Sequence, residues 1–449
     1  MNRILLTFSI LFITNFNTFA QKAKEYYEKG LNAFEKKLDN QALLYLDSSI
    51  NLKNDEYMSY QLRGFVKSSQ GKFVDAIADF DKAIGLNPND ADNFAYRASA
   101  KGSNTDTNGA VQDLSQAIKI SPRKCQYYRD RAKLYAKLKD TLSAKLDFDK
   151  AITLDPEDAY NFIERAMIKE AANDLRGALQ DLNEGILIDP NQSPFYRHRA
   201  ELHLKLRDTT SALSDYDNDI RLIKKDDPMF YWDHYDRATA RFNKAYYQGC
   251  IEDCSIVISG LTTDSDTSLI KFVYKCRALA NLKSTNYFAA IADCDEFYKH
   301  DPKDISIYLA KAEAYYMLSE FSNCITTINK AIAIHPTAEA YFYKSMANVK
   351  LNNLKEVEND LTKAINLNPS YFLAYRNRAL LRGVQANYKG AVSDANVFLK
   401  NDPTDVKVLT TKGMALYFLN NKKEGCAIVK RAISLGDQTA KQFAKEKCK

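Results

Sequence analysis

Residues 125–158 read CQYYRDRAKLYAKLKDTLSAKLDFDKAITLDPED, and this stretch decides the fold. From Tyr128 to Leu138, aromatic and small residues fall at helical spacing. The polar turn Lys139-Asp140-Thr141 follows, and a second amphipathic segment runs from Ala144 to Leu154. Asp155-Pro156 ends it, because Pro cannot continue a helix and biases the preceding residue away from α. The small residues Ala132 and Ala144 allow two such helices to approach closely.

Working outward, the same punctuation returns every 34 residues. Ala76, Ala110, Ala144, Ala178 and Ala212 keep that step, and so do Pro88, Pro122, Pro156 and Pro190. Arg63, Arg97, Arg131, Arg165 and Arg199 keep it too, each followed by Gly or Ala. An aromatic stands three residues before each of these Arg: Tyr60, Phe94, Tyr128, Phe162 and Tyr196. A 34-residue period of paired helices means a unit that cannot bury its apolar face alone and relies on its neighbours.

These slots resemble the tetratricopeptide repeat family: the aromatic, the small residue four positions later, the small residue opening the second helix, the Ala near its end, and the closing Pro. The resemblance covers residues 23–439 as twelve units, beginning near 23, 57, 91, 125, 159, 193, 231, 271, 305, 338, 372 and 406. It departs from the family in placing Arg where Leu is usual, and in lacking the Pro in the first, seventh and twelfth units. It implies an all-α superhelical solenoid with a concave groove. Residues 438–449 are expected to form a polar capping helix.

Composition agrees with a one-dimensional array. A single core rarely grows past about 250–300 residues, and this chain has 449. Hydrophobic residues make up 45% and charged residues 27%, which excludes a disordered chain. Gly (15) and Pro (10) are too scarce for the turns of an all-β fold.

Residues 1–20 read as an export signal: Arg3, an apolar run from Ile4 to Ile13, and Thr18-Phe19-Ala20 before Gln21. That run falls short of the ~20 residues a spanning helix needs, and no other run approaches it. An exported protein, periplasmic or secreted, is therefore expected, with no transmembrane segment once the signal is removed. Without Arg3 the balance is 62 Lys and Arg against 57 Asp and Glu, net +5 and dispersed. A nucleic-acid binder needs a concentrated basic stripe, so no nucleic-acid partner is expected.

The most regular charged feature pairs Arg63 with Asp79, Arg97 with Asp113, Arg131 with Asp147, Arg165 with Asp181, and Arg199 with Asp215, always sixteen residues apart. In an antiparallel hairpin those slots lie at similar height, so ion pairs within or between hairpins are expected. A row of anion sites is the competing reading. Of eight cysteines, Cys426 and Cys448 each lie eleven residues from Asp437, and antiparallel packing would join them in a disulfide. The other six, Cys125, Cys250, Cys254, Cys276, Cys294 and Cys324, sit mostly at helix slots held elsewhere by Ala, Leu or Phe and read as buried free thiols, with Cys276 and Cys294 a candidate pair across their hairpin. With no Cys-x-x-Cys and no His at ligand spacing, no metal site is expected. No phosphate loop, nucleophile elbow or His-Glu-x-x-His occurs, so neither catalysis nor a cofactor is expected.

The resemblance implies that ligands lie on the inner face of the first helices. In units seven to ten these slots turn apolar, with Trp232, Tyr235, Phe242, Phe272, Leu309, Tyr316 and Phe342. Aromatic anchors of this kind are usual hot spots of recognition. The set of Lys, Asn and Arg with which co-chaperones of the family grip a C-terminal carboxylate is absent from three consecutive units. The expected function is a non-catalytic scaffold of the bacterial cell envelope that holds a protein or extended peptide in its groove. Carbohydrate binding by the same aromatics is the alternative.

Overall fold

The computed structural model describes residues 2–261 and 267–448, with side chains from residue 19 onward. Among the described residues there are twenty-five helices and no strand. By contacts the chain divides into two compact units, Met1–Ile223 and Lys224–Lys449.

The first unit is six antiparallel hairpins. They are α1 (Asn2–Glu35) with α2 (Asp39–Leu52), α3 (Tyr57–Ser69) with α4 (Phe73–Leu86), and α5 (Ala91–Ser103) with α6 (Thr107–Ile120). Next come α7 (Cys125–Lys137) with α8 (Thr141–Leu154), α9 (Ala159–Ala171) with α10 (Leu175–Ile188), and α11 (Ser193–Lys205) with α12 (Thr209–Leu222). The side chains of residues 2–18, where the export signal is expected, lie outside those described.

The second unit opens with α13 (Phe230–Asn243) and α14 (Tyr247–Ser259), α15 (Thr267–Lys283) and α16 (Tyr287–Tyr298), and α17 (Ile305–Met317) and α18 (Phe321–Ile334). It continues with α19 (Ala338–Lys350) and α20 (Leu354–Leu367), α21 (Phe372–Val384) and α22 (Tyr388–Asn401), and α23 (Val406–Phe418) and α24 (Lys422–Ser434). A last short helix, α25 (Thr439–Lys447), packs on α24. No described helix is long and apolar enough to cross a membrane.

Each hairpin turns by the same device. Lys37, Gly71, Thr105, Lys139, Asn173 and Arg207 all have φ between 58° and 74°, and a left-handed residue occupies the same slot in the second unit. That conformation closes the first helix: Lys139 N–H donates to Ala136 C=O and Asp140 N–H to Tyr135 C=O, each at 2.9 Å. Where the next residue is Asp106, Asp140, Asp174, Asp208 or Asn387, its side chain caps the second helix, as when Asp140 accepts from Ser143 N–H at 3.1 Å.

Inside the hairpin the small residues do what their size permits. Ala132 and Ala144 are fully buried, and the Phe148 ring fills the space beside them. Burying such a ring contributes about 1.5–3 kcal/mol. Cores run between hairpins as well: Phe195 and Leu202 of α11 share a cluster with Ala166, Ala178 and Leu182 of the hairpin before. The recurring Tyr also ties hairpins to their entry turns, since Tyr128 and Tyr196 donate to Pro122 and Pro190 C=O at 3.1 Å.

Candidate partner-binding surface

The Arg–Asp pairs form a ladder inside each unit. Arg63 donates from Nε and Nη2 to both oxygens of Asp79, at 3.0 and 2.6 Å. Arg97 and Asp113, Arg131 and Asp147, Arg165 and Asp181, and Arg199 and Asp215 make the same fork at 2.6 to 2.9 Å. The third nitrogen reaches sixteen residues back, to the preceding hairpin. Arg63 Nη1 meets Asp47 and Arg97 Nη1 meets Asp81, both at 2.6 Å, and Arg165 Nη1 meets Asp149 at 2.7 Å. In the other two, Ser115 and Asn183 supply the oxygen. One guanidinium therefore closes its own hairpin and clamps the previous one.

The aromatic three residues ahead of each Arg now has a cause. The guanidinium carbon lies 5.5 to 5.9 Å from the ring centres of Tyr60, Phe94, Tyr128, Phe162 and Tyr196, a cation–π distance. With its fork on a buried Asp, its third nitrogen on a neighbour and its face on a ring, each Arg serves the fold.

Four of the expected groove residues gather at one place, and the other three lie apart from them. Trp232, Tyr235 and Phe242 are half-buried and pack against the core of Ala238, Cys250, Cys254, Val257 and Val273. Phe272 is 43% exposed and stacks on Tyr235, with ring centres 6.0 Å apart. Leu309 and Tyr316 pack on the core around Ala312, Ile328 and Ala347. Phe342 is only 8% exposed and meets Tyr371 edge to face at 5.3 Å, so it belongs to the core and presents no ring to a ligand.

An open apolar cavity of about 410 Å³ lies further along the second unit. Tyr316 of α17, Met346 and Val349 of α19, Leu354 of α20, and Leu381 and Val384 of α21 line it. Val349 is 52% exposed and Val384 83%. Expectation weighted aromatic rings and so overlooked the aliphatic part of this lining. No repeating slot marks it, since the position of Val384, six residues after Arg378, is Ser69, Ser103, Lys137, Ala171 and Lys205 in the units of Arg63, Arg97, Arg131, Arg165 and Arg199.

The cysteines sort into three sets. Cys426 and Cys448 are joined in a disulfide, with Cα atoms 5.4 Å apart, fastening α24 to the segment that ends α25. Cys276 does not face Cys294, which is a free thiol buried in a separate cluster with Phe297 and Ile307. Instead Cys276 Sγ lies 3.4 Å from Cys250 Sγ, and Cys254 completes a group of three. Hydrogen bonds from Cys250 and then Cys254 hold the Cys276 thiol well below its usual range. Spacing along the chain had argued against any such cluster, because its members come from two helices.

The sequence pattern of the tetratricopeptide repeat matches residues 59–90 and 126–158, which span α3–α4 and α7–α8. This chain is built of tetratricopeptide repeats. Tetratricopeptide repeats generally serve as non-catalytic scaffolds for proteins or peptides.

Two curated relatives match part of the repeat array. A DnaJ homolog subfamily C member 7 homolog of Dictyostelium discoideum is 31% identical over 94 residues, 20% of this chain and 17% of its own length. A serine/threonine-protein phosphatase T of Aspergillus oryzae is 34% identical over 92 residues, 20% of this chain and 19% of its own. The chain thus spans under a fifth of the curated relatives it matches. Among solved structures, MamA of Desulfovibrio magneticus RS-1 aligns at 18% identity and TM-score 0.36, over 38% of this chain and 97% of its own. PilF of Pseudomonas aeruginosa aligns at 15% identity and TM-score 0.40, over 46% of this chain and 93% of its own. A tetratricopeptide repeat protein of Parabacteroides merdae aligns at 14% and 0.31, over 65% and 98%.

Proposed function

We propose that this tetratricopeptide array is a non-catalytic scaffold of the bacterial cell envelope that holds an extended, apolar peptide segment of a partner protein. The observation that carries the reading is the open cavity lined by Tyr316, Met346, Val349, Leu381 and Val384. Valine side chains left this exposed beside a concave, apolar wall mark a surface kept for contact. Its few polar lining groups, Ser345, Asn377 and Lys350, suit a peptide that inserts apolar side chains. A sugar needs a denser set of hydrogen-bond partners, so peptide is preferred over carbohydrate. The envelope assignment rests on the signal-like pattern of residues 1–20 and on the Cys426–Cys448 bond, which suits an oxidising compartment.

The test is binding of the mature protein to an array of apolar peptides, followed by Met346→Asp and Val384→Asp. Both variants are expected to lose at least ten-fold in affinity with unchanged circular dichroism. Unchanged peptide affinity, or saturable binding to a glycan array in its place, overturns the proposal.

A further inference from the structure

The cluster of Cys250, Cys254 and Cys276 has no part in the surface just described. Cys250 and Cys254 are four residues apart on α14, so both sulfurs leave one face of that helix. Cys276 comes from α15, packed against it. The three sulfurs all lie within 4.8 Å of one another, and the Cys250–Cys276 pair is 3.4 Å apart. Cys250 and Cys254 are fully buried in the apolar cluster of Val257, Leu269 and Val273, and Cys276 is partly buried at its edge.

A single buried thiol is an ordinary small hydrophobe. Cys294 and Cys324 fit that description, each in its own core cluster. Three sulfurs gathered at one point do not, because apolar packing gives no reason for convergence. Their spacing is also informative. A metal bound by three thiolates at about 2.3 Å sets the sulfurs about 4 Å apart. The 3.4 Å pair and the 4.8 Å limit on the other two separations leave room for that figure, whereas a disulfide requires about 2.05 Å.

We propose that Cys250, Cys254 and Cys276 form a three-coordinate thiolate site for a soft monovalent cation, Cu(I). Three points select the ion. Thiolate is a soft donor that favours Cu(I) and zinc. Zinc in a structural site takes four ligands, yet among the described residues the group offers three sulfurs and no His or carboxylate. The buried neighbours Val257, Leu269 and Val273 are aliphatic, and Tyr235, packed against the cluster, carries a phenol and not one of the Cys, His or carboxylate ligands that zinc takes. Loading is an exchange without redox change: three thiols and one Cu(I) give the tris-thiolate complex and three released protons. Cys276, at the edge of the cluster, is the point of entry.

The experiment titrates the reduced, full-length protein with Cu(I) under anaerobic conditions against a chromophoric Cu(I) chelator. One Cu(I) per chain is expected to stay with the protein, and its X-ray absorption spectrum should show three sulfurs at about 2.3 Å. Cys254→Ser should lower the affinity at least 100-fold while circular dichroism stays unchanged. The absorption measurement on the unmodified protein decides the matter even if that variant misfolds. Failure to retain Cu(I), a shell of fewer than three sulfurs, or affinity untouched by Cys254→Ser in a folded protein overturns the site. Stoichiometric zinc held in preference to Cu(I) overturns the choice of ion.

Discussion

Lys344 and Asp360 occupy the slots that Arg63 and Asp79 fill elsewhere, and they do not make the same bond. The Lys344 ammonium stays 3.8 Å from Asp360 Oδ1, and that buried oxygen accepts no hydrogen bond. Among the described residues, Asn348 alone donates to the other oxygen, at 3.0 Å. Lysine has one compact charged group in place of a planar fork, so it cannot hold both oxygens and a neighbour together.

Asp360 should therefore be a weak point of the ladder. Burial raises its pKa above the ordinary carboxylate value. The folded state then binds the proton more tightly than the unfolded state, so this group's contribution falls as pH rises through that interval. Asp360→Asn is expected to gain about 1 kcal/mol at pH 7 and little at pH 4. Urea unfolding at both values checks this, and a loss at pH 7 would show that the carboxylate is needed.

Asp253 is the counterpart. Burial works to raise its pKa, but His234 and Arg237, with Arg241 beside them, outweigh that and hold it below the usual range. Its contribution is present above the unfolded carboxylate value and is lost as pH falls through the lowered one. Asp253→Asn should destabilise the protein at pH 7 and progressively less in acid, measured by the same unfolding series.

Removing one rung should cost more than removing both partners. Arg131→Ala strands the buried Asp147 and frees Ser115, and a loss of about 3–5 kcal/mol is expected. Arg131→Leu combined with Asp147→Leu should recover much of that loss. A double variant as unstable as the single one would argue against a stranded charge as the cause.

Thr285 is a β-branched residue held at φ 63° in the turn between α15 and α16. That conformation costs an L-residue about 1–2 kcal/mol, and a Gly little. Thr285→Gly is expected to raise the midpoint of thermal unfolding. An unchanged or lower midpoint would mean that the Thr side chain stabilises the turn by some other contact.

The disulfide closes a loop across a separation of 22 residues at the end of the array. Loss of that constraint is worth roughly 3 kcal/mol. Replacing Cys426 and Cys448 by Ser should speed hydrogen exchange in α24 and α25 while leaving α13 to α22 unchanged. Uniform acceleration along the second unit would show that the bond stabilises more than the terminus.

The 34-residue period was enough to establish helical hairpins, because each slot's size or shape constraint repeats with the unit and so writes itself into the chain. The sixteen-residue Arg–Asp spacing was legible for the same reason: both partners lie in one hairpin, whose geometry is local. The second acceptor of each Arg, the burial of Phe342, the aliphatic cavity and the gathering of Cys250, Cys254 and Cys276 were not. These depend on how side chains from successive helices meet, and that packing is decided by the volume and rotamer of every neighbour at once. Regular spacing along a chain reports what repeats, and only the assembled fold reports what converges.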